Sequence, residues 1–165
     1  MADGAQFPLL FLDVDGPVLP FGAGPVGMPW DDAIDARLAR LNHSLGRRLA
    51  ALPCRLVWAT AWEEDANVEI APRIGLPELP VVFWPESSDE REREDTWFGL
   101  HWKTRALASW AAGRSFVWVD DEVTDADREW VSEHHAGRAL LHRVDSSRGL
   151  SDEDFIALDE WLRVG

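Results

Sequence analysis

Leu9-Leu10-Phe11-Leu12-Asp13-Val14-Asp15-Gly16 is the stretch whose reading decides the fold. A short apolar run ending in two aspartates and a glycine predicts a buried strand that delivers carboxylates to the edge of a sheet. Carboxylates held that close repel each other unless a divalent cation sits between them, so the pair points to metal-assisted chemistry on an anion. The chain holds three Asp-x-Asp triplets, so the pattern alone is weak. Asp125/Asp127 and Asp152/Asp154 directly follow Thr124 and Ser151, where capping boxes account for them. Asp13/Asp15 has no such explanation, and Gly16 permits a sharp turn after it.

Outward from this segment, short apolar runs alternate with helical patterns, which predicts a parallel sheet covered by helices. Strands are expected at Pro8–Leu12, Arg55–Trp58, Pro80–Trp84, Ser115–Val119 and Ala139–His142. Ile34, Leu38, Leu41, Leu45, Leu49 and Leu52 recur at helical spacing from a start near Asp31. A second helix should run from Trp62 to Ala71 and stop at Pro72, and a third should carry Lys103, Leu107 and Trp110 as far as Gly113. Further helices should start at Thr124 and at Ser151, the last ending at Leu162. The charge run Glu86–Asp95 reads as a solvated loop. With 165 residues and neither an internal repeat nor a linker, residues 1–165 read as one domain.

Composition narrows the function classes. The 46% apolar and 28% charged residues are those of an ordinary globule, and no apolar stretch is long enough to span a membrane. The formal charge of −14 disfavours tight non-specific binding to phosphate backbones, although a local basic groove stays compatible with it. The N-terminus does not resemble a signal peptide, and Cys54 is the sole cysteine and reads as a small core residue, so a reducing cytoplasm is the expected location. Of the ten tryptophans, Trp58, Trp84 and Trp118 lie in apolar runs and read as core. Trp30, Trp62, Trp97 and Trp102 fall in or beside loops, where they either stack on a base or sugar or roof the core.

Arginine outnumbers lysine fifteen to one. The lone Lys103 falls at the start of a helix between the third and fourth expected strands. The second expected strand leads into Thr60, and the fourth ends at Asp120-Asp121. In a doubly wound sheet all of these reach the carboxyl edge, where such folds bind ligands. Individually each has a plainer account. Thr60 fits an N-cap, Lys103 an ordinary surface residue, and Asp120-Asp121 the approach to a helix N-terminus.

The ordered set Asp13-x-Asp15, Thr60, Lys103, Asp120-Asp121 resembles the four motifs of the haloacid dehalogenase (HAD) superfamily over almost the whole chain. More narrowly, Trp58-Ala59-Thr60-Ala61-Trp62, His101-Trp102-Lys103 and Trp118-Val119-Asp120-Asp121-Glu122 are similar to the phosphatase-like domains of bacterial multi-enzyme RNA-repair proteins. The resemblance implies a Rossmann-like three-layer α/β sandwich with five parallel strands, Mg²⁺ dependence and phosphoester hydrolysis. Asp13 is then the nucleophile and Asp15 the general acid/base. Thr60 and Lys103 complete the catalytic set, with Thr60, Ala61 and Lys103 binding phosphate. Asp13, the backbone carbonyl of Asp15, and the Asp120-Asp121 pair hold the metal, Asp121 as the direct ligand and Asp120 through water or by orienting Lys103. His101 lies near the set without an assigned role.

Two departures stand out. Pro17 replaces the Thr or Val frequent in the family, and the insertion points Asp15–Asp31 and Trp84–Lys103 leave no room for a cap domain. An open site implies a substrate phosphate exposed on a large molecule, such as a nucleic-acid end or a phosphoprotein, or a small phosphoester enclosed with a partner's help. The competing class is an inactive HAD-fold module that binds metal or phosphate for regulation; retention of both Asp13 and Asp15 weighs against it. A receiver-type phosphoacceptor would need its acceptor Asp after the third strand, where this chain has Trp84-Pro85.

Overall fold

The computed structural model describes residues 6–20 and 36–164. Within them lie strands β1 (Leu9–Leu12), β2 (Arg55–Trp58), β3 (Phe116–Asp120) and β4 (Ala139–Arg143). The helices are α1 (His43–Ala50), α2 (Ala71–Ile74, entered through a π-helical turn at Ala66–Ile70), α3 (Asp89–Phe98), α4 (Thr104–Ala111), α5 (Asp125–His134) and α6 (Asp152–Arg163). The sheet is parallel throughout, in the order β2-β1-β3-β4. Successive strands therefore depart in opposite directions from the gap between β1 and β3, which is the switch point of a doubly wound fold.

Side chains alternate across β1, and both faces are covered, so every residue of β1 and β3 is buried. Leu10, Leu12, Trp58, Val117 and Val119 pack with Leu49 of α1, Ile74 of α2 and Leu158 of α6. Leu9, Phe11, Val57, Phe116 and Trp118 face the other way, against Leu107 and Ala111 of α4 and Val131 of α5. These two cores define the three-layer sandwich. Leu12 pairs with both Trp58 and Val119, so β2, β1 and β3 run in register to this point, and Thr60, Asp13 and Asp120-Asp121 fall just beyond it at one edge.

Several expectations are corrected. The described residues form a four-stranded sheet, not a five-stranded one. Pro80–Trp84 touches β2 only through a bridge at Val81, with Trp58 N–H donating to Pro80 O (2.9 Å) and Val82 N–H to Trp58 O (2.9 Å). The pairing then stops because Trp84 N–H turns to the Glu63 carboxylate (3.2 Å) and Pro85 has no N–H to offer. Pro72 does not end its helix. It sits in the first turn of α2, where a missing N–H is harmless, and the π-helical turn before it absorbs the mismatch. Gly75, at φ +80°, closes α2 instead.

The stripe around Leu38–Leu52 is not one helix. Tight i→i+3 bonds at Arg40 and Leu41 interrupt it, and Asn42 starts α1 by accepting Ser44 N–H (2.9 Å). Its expected beginning near Asp31, with Ile34, lies outside the described residues, as do Trp30 and the first insertion point from Phe21 onward.

Glu86–Asp95 is solvated as expected, but it is loop only as far as Ser88 and helical from Asp89. Ser88 caps α3 by accepting Arg91 N–H (3.1 Å), and Asp89, Glu90 and Glu92 favour its positive end. This helix buries none of its residues and is tied to α4 by Arg105, which reaches Asp95 (2.6 Å) and Glu94 (3.2 Å). The second insertion point thus carries an exposed helix. Both expected capping boxes are formed, Thr124 with Asp127 and Ser151 with Asp154. Cys54 packs against the core, and burial pushes its thiol up to about 12, which disqualifies it as a nucleophile. Among the described residues no helix is long and apolar enough to cross a membrane.

Candidate active site

Asp13 follows β1 directly, and its backbone N–H continues the ladder to Val119 O (3.1 Å). Asp13 is buried (5% exposed), and its carboxylate accepts Val14 N–H (2.8 Å). Asp120 ends β3 on the neighbouring strand and is fully buried. Lys103, the residue before α4, extends its side chain between them. Its Nζ lies 2.8 Å from Asp120 Oδ2 and 3.2 Å from Asp13 Oδ1. Asp120 is further satisfied by Trp118 Nε1–H at Oδ2 (3.2 Å) and Glu122 N–H at Oδ1 (3.0 Å). A buried carboxylate that accepts from a cation, an indole and an amide is held in one orientation.

The electrostatics reflect this crowding. Burial drives the Asp13 carboxyl up to about 7, Lys103 opposing and Asp120 reinforcing the rise. Asp121 is pushed up to about 6 by burial and by hydrogen bonding and repulsion from Asp120. Burial alone would lower Lys103, but its two carboxylates outweigh that and raise it. Oxygen atoms of Asp13, Asp120 and Asp121 lie within 4.8 Å of one another. An all-oxygen, mutually repelling donor set of that size suits a hard divalent cation such as Mg²⁺. Because Asp120 already serves Lys103, Trp118 and Glu122, Asp13 and Asp121 are the better placed direct ligands.

Asp15 is held apart from this cluster. Its side chain is 36% exposed and accepts from Trp62 Nε1–H (2.9 Å) and Arg37 Nη2 (3.5 Å). The turn between Asp13 and Leu19 is closed by Leu19 N–H to Val14 O (2.8 Å) and Gly16 N–H to Leu19 O (3.0 Å). Pro17 fits without loss of a bond, its carbonyl accepting Leu150 N–H (2.9 Å).

Thr60 is buried beyond β2, and its Oγ1 accepts Trp62 N–H (3.2 Å), so it does cap the following turn. Accepting that bond leaves its own hydroxyl proton to donate elsewhere. Glu63 and Trp84 brace this corner. Glu63 takes a left-handed φ of +48°, and Trp84 Nε1–H donates to Thr60 O (3.0 Å). Ala61 is exposed beside it.

Of the tryptophans, Trp58 and Trp118 are buried, while Trp97 is 85% and Trp102 53% exposed. Trp102 meets Trp84 edge to face (4.9 Å) and lies over Lys103 Nζ (5.4 Å). Trp118 and Glu122 as holders of Asp120, and Trp62 as partner of Asp15, are structural roles that residue spacing does not reveal; Trp62 is 47 positions from Asp15.

A parallel α/β sheet with a carboxylate–lysine cluster at its switch point fits the HAD class expected from the sequence. The family described as the HAD domain in Swiss Army Knife RNA repair proteins matches residues 9–155, and the chain belongs to it. Comparison with curated proteins and with solved structures returns no match.

Proposed function

We propose that this chain, acting as one catalytic domain, is a Mg²⁺-dependent phosphatase that works through an aspartyl-phosphate on Asp13. The observation that carries the reading is the convergence of Asp13, Lys103, Asp120 and Asp121 at the carboxyl edge of β1 and β3. Asp13 attacks phosphorus as the bond to the leaving oxygen breaks, and Asp15 gives that oxygen its proton. Asp15 then takes a proton from water, whose oxygen attacks the same phosphorus; inorganic phosphate leaves and the Asp13 carboxylate returns. Lys103 offsets negative charge on the transferring group, Thr60 donates its hydroxyl, and Ala61 contributes its backbone N–H, the only donor it has. Asp13, Asp121, the Asp15 carbonyl and the Asp120 carboxylate would hold Mg²⁺, which would supply the positive charge that lets two anions meet.

The leaving group lies on the Asp15 side, which favours a nucleic-acid end as substrate. Arg37, which touches Asp15, lines a cavity of about 360 Å³ together with Arg40, Arg48 and Arg148. Arg48 is anchored to Asp152 (2.7 Å). In a chain of net charge −14, four arginines around one cavity, with Arg37 also in contact with Asp15, suit a leaving group that carries further phosphates.

The test is phosphate release, with and without Mg²⁺, from phosphorylated oligonucleotides, mononucleotides and p-nitrophenyl phosphate. Oligonucleotide ends should give the highest kcat/KM, and Asp13→Asn should abolish turnover of every substrate. Preference for the small ester would remove the nucleic-acid assignment. A folded, Mg²⁺-binding protein that releases phosphate from none of them would leave the inactive binding module as the reading.

A further inference from the structure

We propose that His101 is a positioning residue for Lys103, the fixed point of a closed hydrogen-bonded ring that sets where the ammonium sits. Lys103 backbone N–H donates to His101 Nδ1 (3.1 Å). That donor forces the neutral imidazole to carry its proton on Nε2, which faces Glu122 Oε1 (3.5 Å). Glu122 N–H in turn holds Asp120 Oδ1 (3.0 Å), and Asp120 Oδ2 accepts from Lys103 Nζ (2.8 Å). The ring therefore starts at the backbone of Lys103 and returns to the tip of its side chain.

The imidazole has little freedom to do anything else. Its side chain is 8% exposed, stacked on Trp102 (5.4 Å) and met edge-on by Trp118 (5.6 Å), the residue that also donates to Asp120. The backbone of His101 is anchored as well, its N–H donating to the buried Asp127 (2.8 Å), which also accepts Thr104 Oγ1–H (2.7 Å) and belongs to the capping box of α5. His101, Asp120 and Glu122 offer ligand atoms within 4.8 Å of one another, as a metal site would. With Nδ1 accepting from an amide and Nε2 protonated, the imidazole has no lone pair left for a cation, so the trio is a scaffold and not a second metal centre. Lys103 opens α4 without a side-chain cap of its own, so the His101 nitrogen also occupies one of the orphan amides of that helix start.

A capping role alone would affect stability, whereas positioning must affect the ammonium. Because Lys103 is the sole lysine, protein labelled with ¹⁵N-lysine has one Nζ resonance, which can be followed with no assay of activity. Wild type should give a protected, slowly exchanging Nζ cross-peak. His101→Leu should broaden or shift it, whereas His101→Asn, whose amide oxygen can take the place of Nδ1, should retain it, because it keeps the shorter bond to the Lys103 backbone (3.1 Å) and gives up only the longer one to the exposed Glu122 carboxylate (3.5 Å). In the phosphatase assay His101→Leu should lower kcat by about tenfold with KM little changed, and His101→Asn should recover most of that loss. This kinetic arm rests on the proposed phosphatase activity; the resonance does not, so an inactive wild-type protein would still decide the question. If His101→Leu fails to fold, His101→Gln, whose amide reaches the Nε2 position and leaves Nδ1 empty, should behave as Leu is expected to. A variant that melts earlier yet keeps the wild-type Nζ resonance, or an Asn variant as perturbed as Leu, would overturn the proposal.

Discussion

Lys103 shows how much one side chain can be asked to do. It is 3% exposed, lies between two carboxylates, and has Trp84 and Trp102 within 5.9 Å of its ammonium. An arginine in its place keeps the charge but not the geometry, because the planar guanidinium is larger and presents its donors as a fork. In a chain that elsewhere uses arginine almost exclusively, a surface lysine would tolerate that exchange. Lys103→Arg is instead expected to lower kcat at least tenfold, equivalent to about 1.4 kcal/mol of barrier, with a smaller change in KM. Steady-state kinetics on the preferred substrate checks this, and wild-type kcat and KM in the variant would remove Lys103 from the reacting phosphate. Its rarity made Lys103 conspicuous in the sequence, and Asp13 and Asp120-Asp121 were conspicuous as acids ending apolar runs. The groups that orient the acids were not legible: Trp62 reaches Asp15 from 47 positions away, and the Trp118 indole and the Glu122 backbone N–H, though each is two residues from Asp120, are aimed at it only by the folded strand end.

At the level of elements, the loop after β1 carries the tightest constraint. Gly16 has φ +107°, and a Cβ there would come within 2.7 Å of Asp121 Cγ. Gly16→Ala should therefore destabilise the fold by about 1–3 kcal/mol and weaken metal binding by displacing Asp121. Urea unfolding and a Mg²⁺ titration of the variant measure the two effects; a variant with unchanged midpoint and affinity would mean that the loop and Asp121 are not so closely packed. The same loop illustrates what the sequence could convey about elements. Four strands, both capping boxes and the turn at Gly16 rest on local signals, and each appears where those signals place it. Pro80–Trp84 has the composition of a strand, but whether it pairs depends on where Trp84 N–H finds an acceptor, and that acceptor is Glu63, from another segment. The helix that starts within Glu86–Asp95 was hidden for the opposite reason. A helix with no buried residue has no apolar stripe to betray it, and only its cap, Ser88, marked the start.

For the molecule as a whole, stability and metal binding are linked through the raised carboxyls. An aspartate of ordinary pKa 3.8 in the unfolded chain ionises only at about 7 for Asp13 and about 6 for Asp121 when folded. Between those limits the folded state holds more protons, so these groups make the metal-free protein less stable as pH rises from about 4 to 7. Asp154 acts in the opposite sense. Burial would raise it, but Ser151 and His142 outweigh burial and hold it low, so its contribution is present at neutral pH and is lost on acidification. The combined contribution of these three carboxyls to metal-free stability is accordingly most favourable at weakly acidic pH. Mg²⁺ needs the ionised carboxylates, so its stabilising effect should grow as pH rises. At a hundredfold excess over its dissociation constant the gain is about 2.7 kcal/mol, or roughly 5–10 °C in Tm for a chain of this size. Thermal melts at pH 5 and pH 8, with and without Mg²⁺, should show the larger shift at pH 8. Asp121→Asn should raise the metal-free Tm at pH 8, because it removes a charge that Asp120 repels, and should lose most of the Mg²⁺ gain. A Tm indifferent to Mg²⁺ at both pH values would leave the acidic cluster without a cation to justify its repulsion.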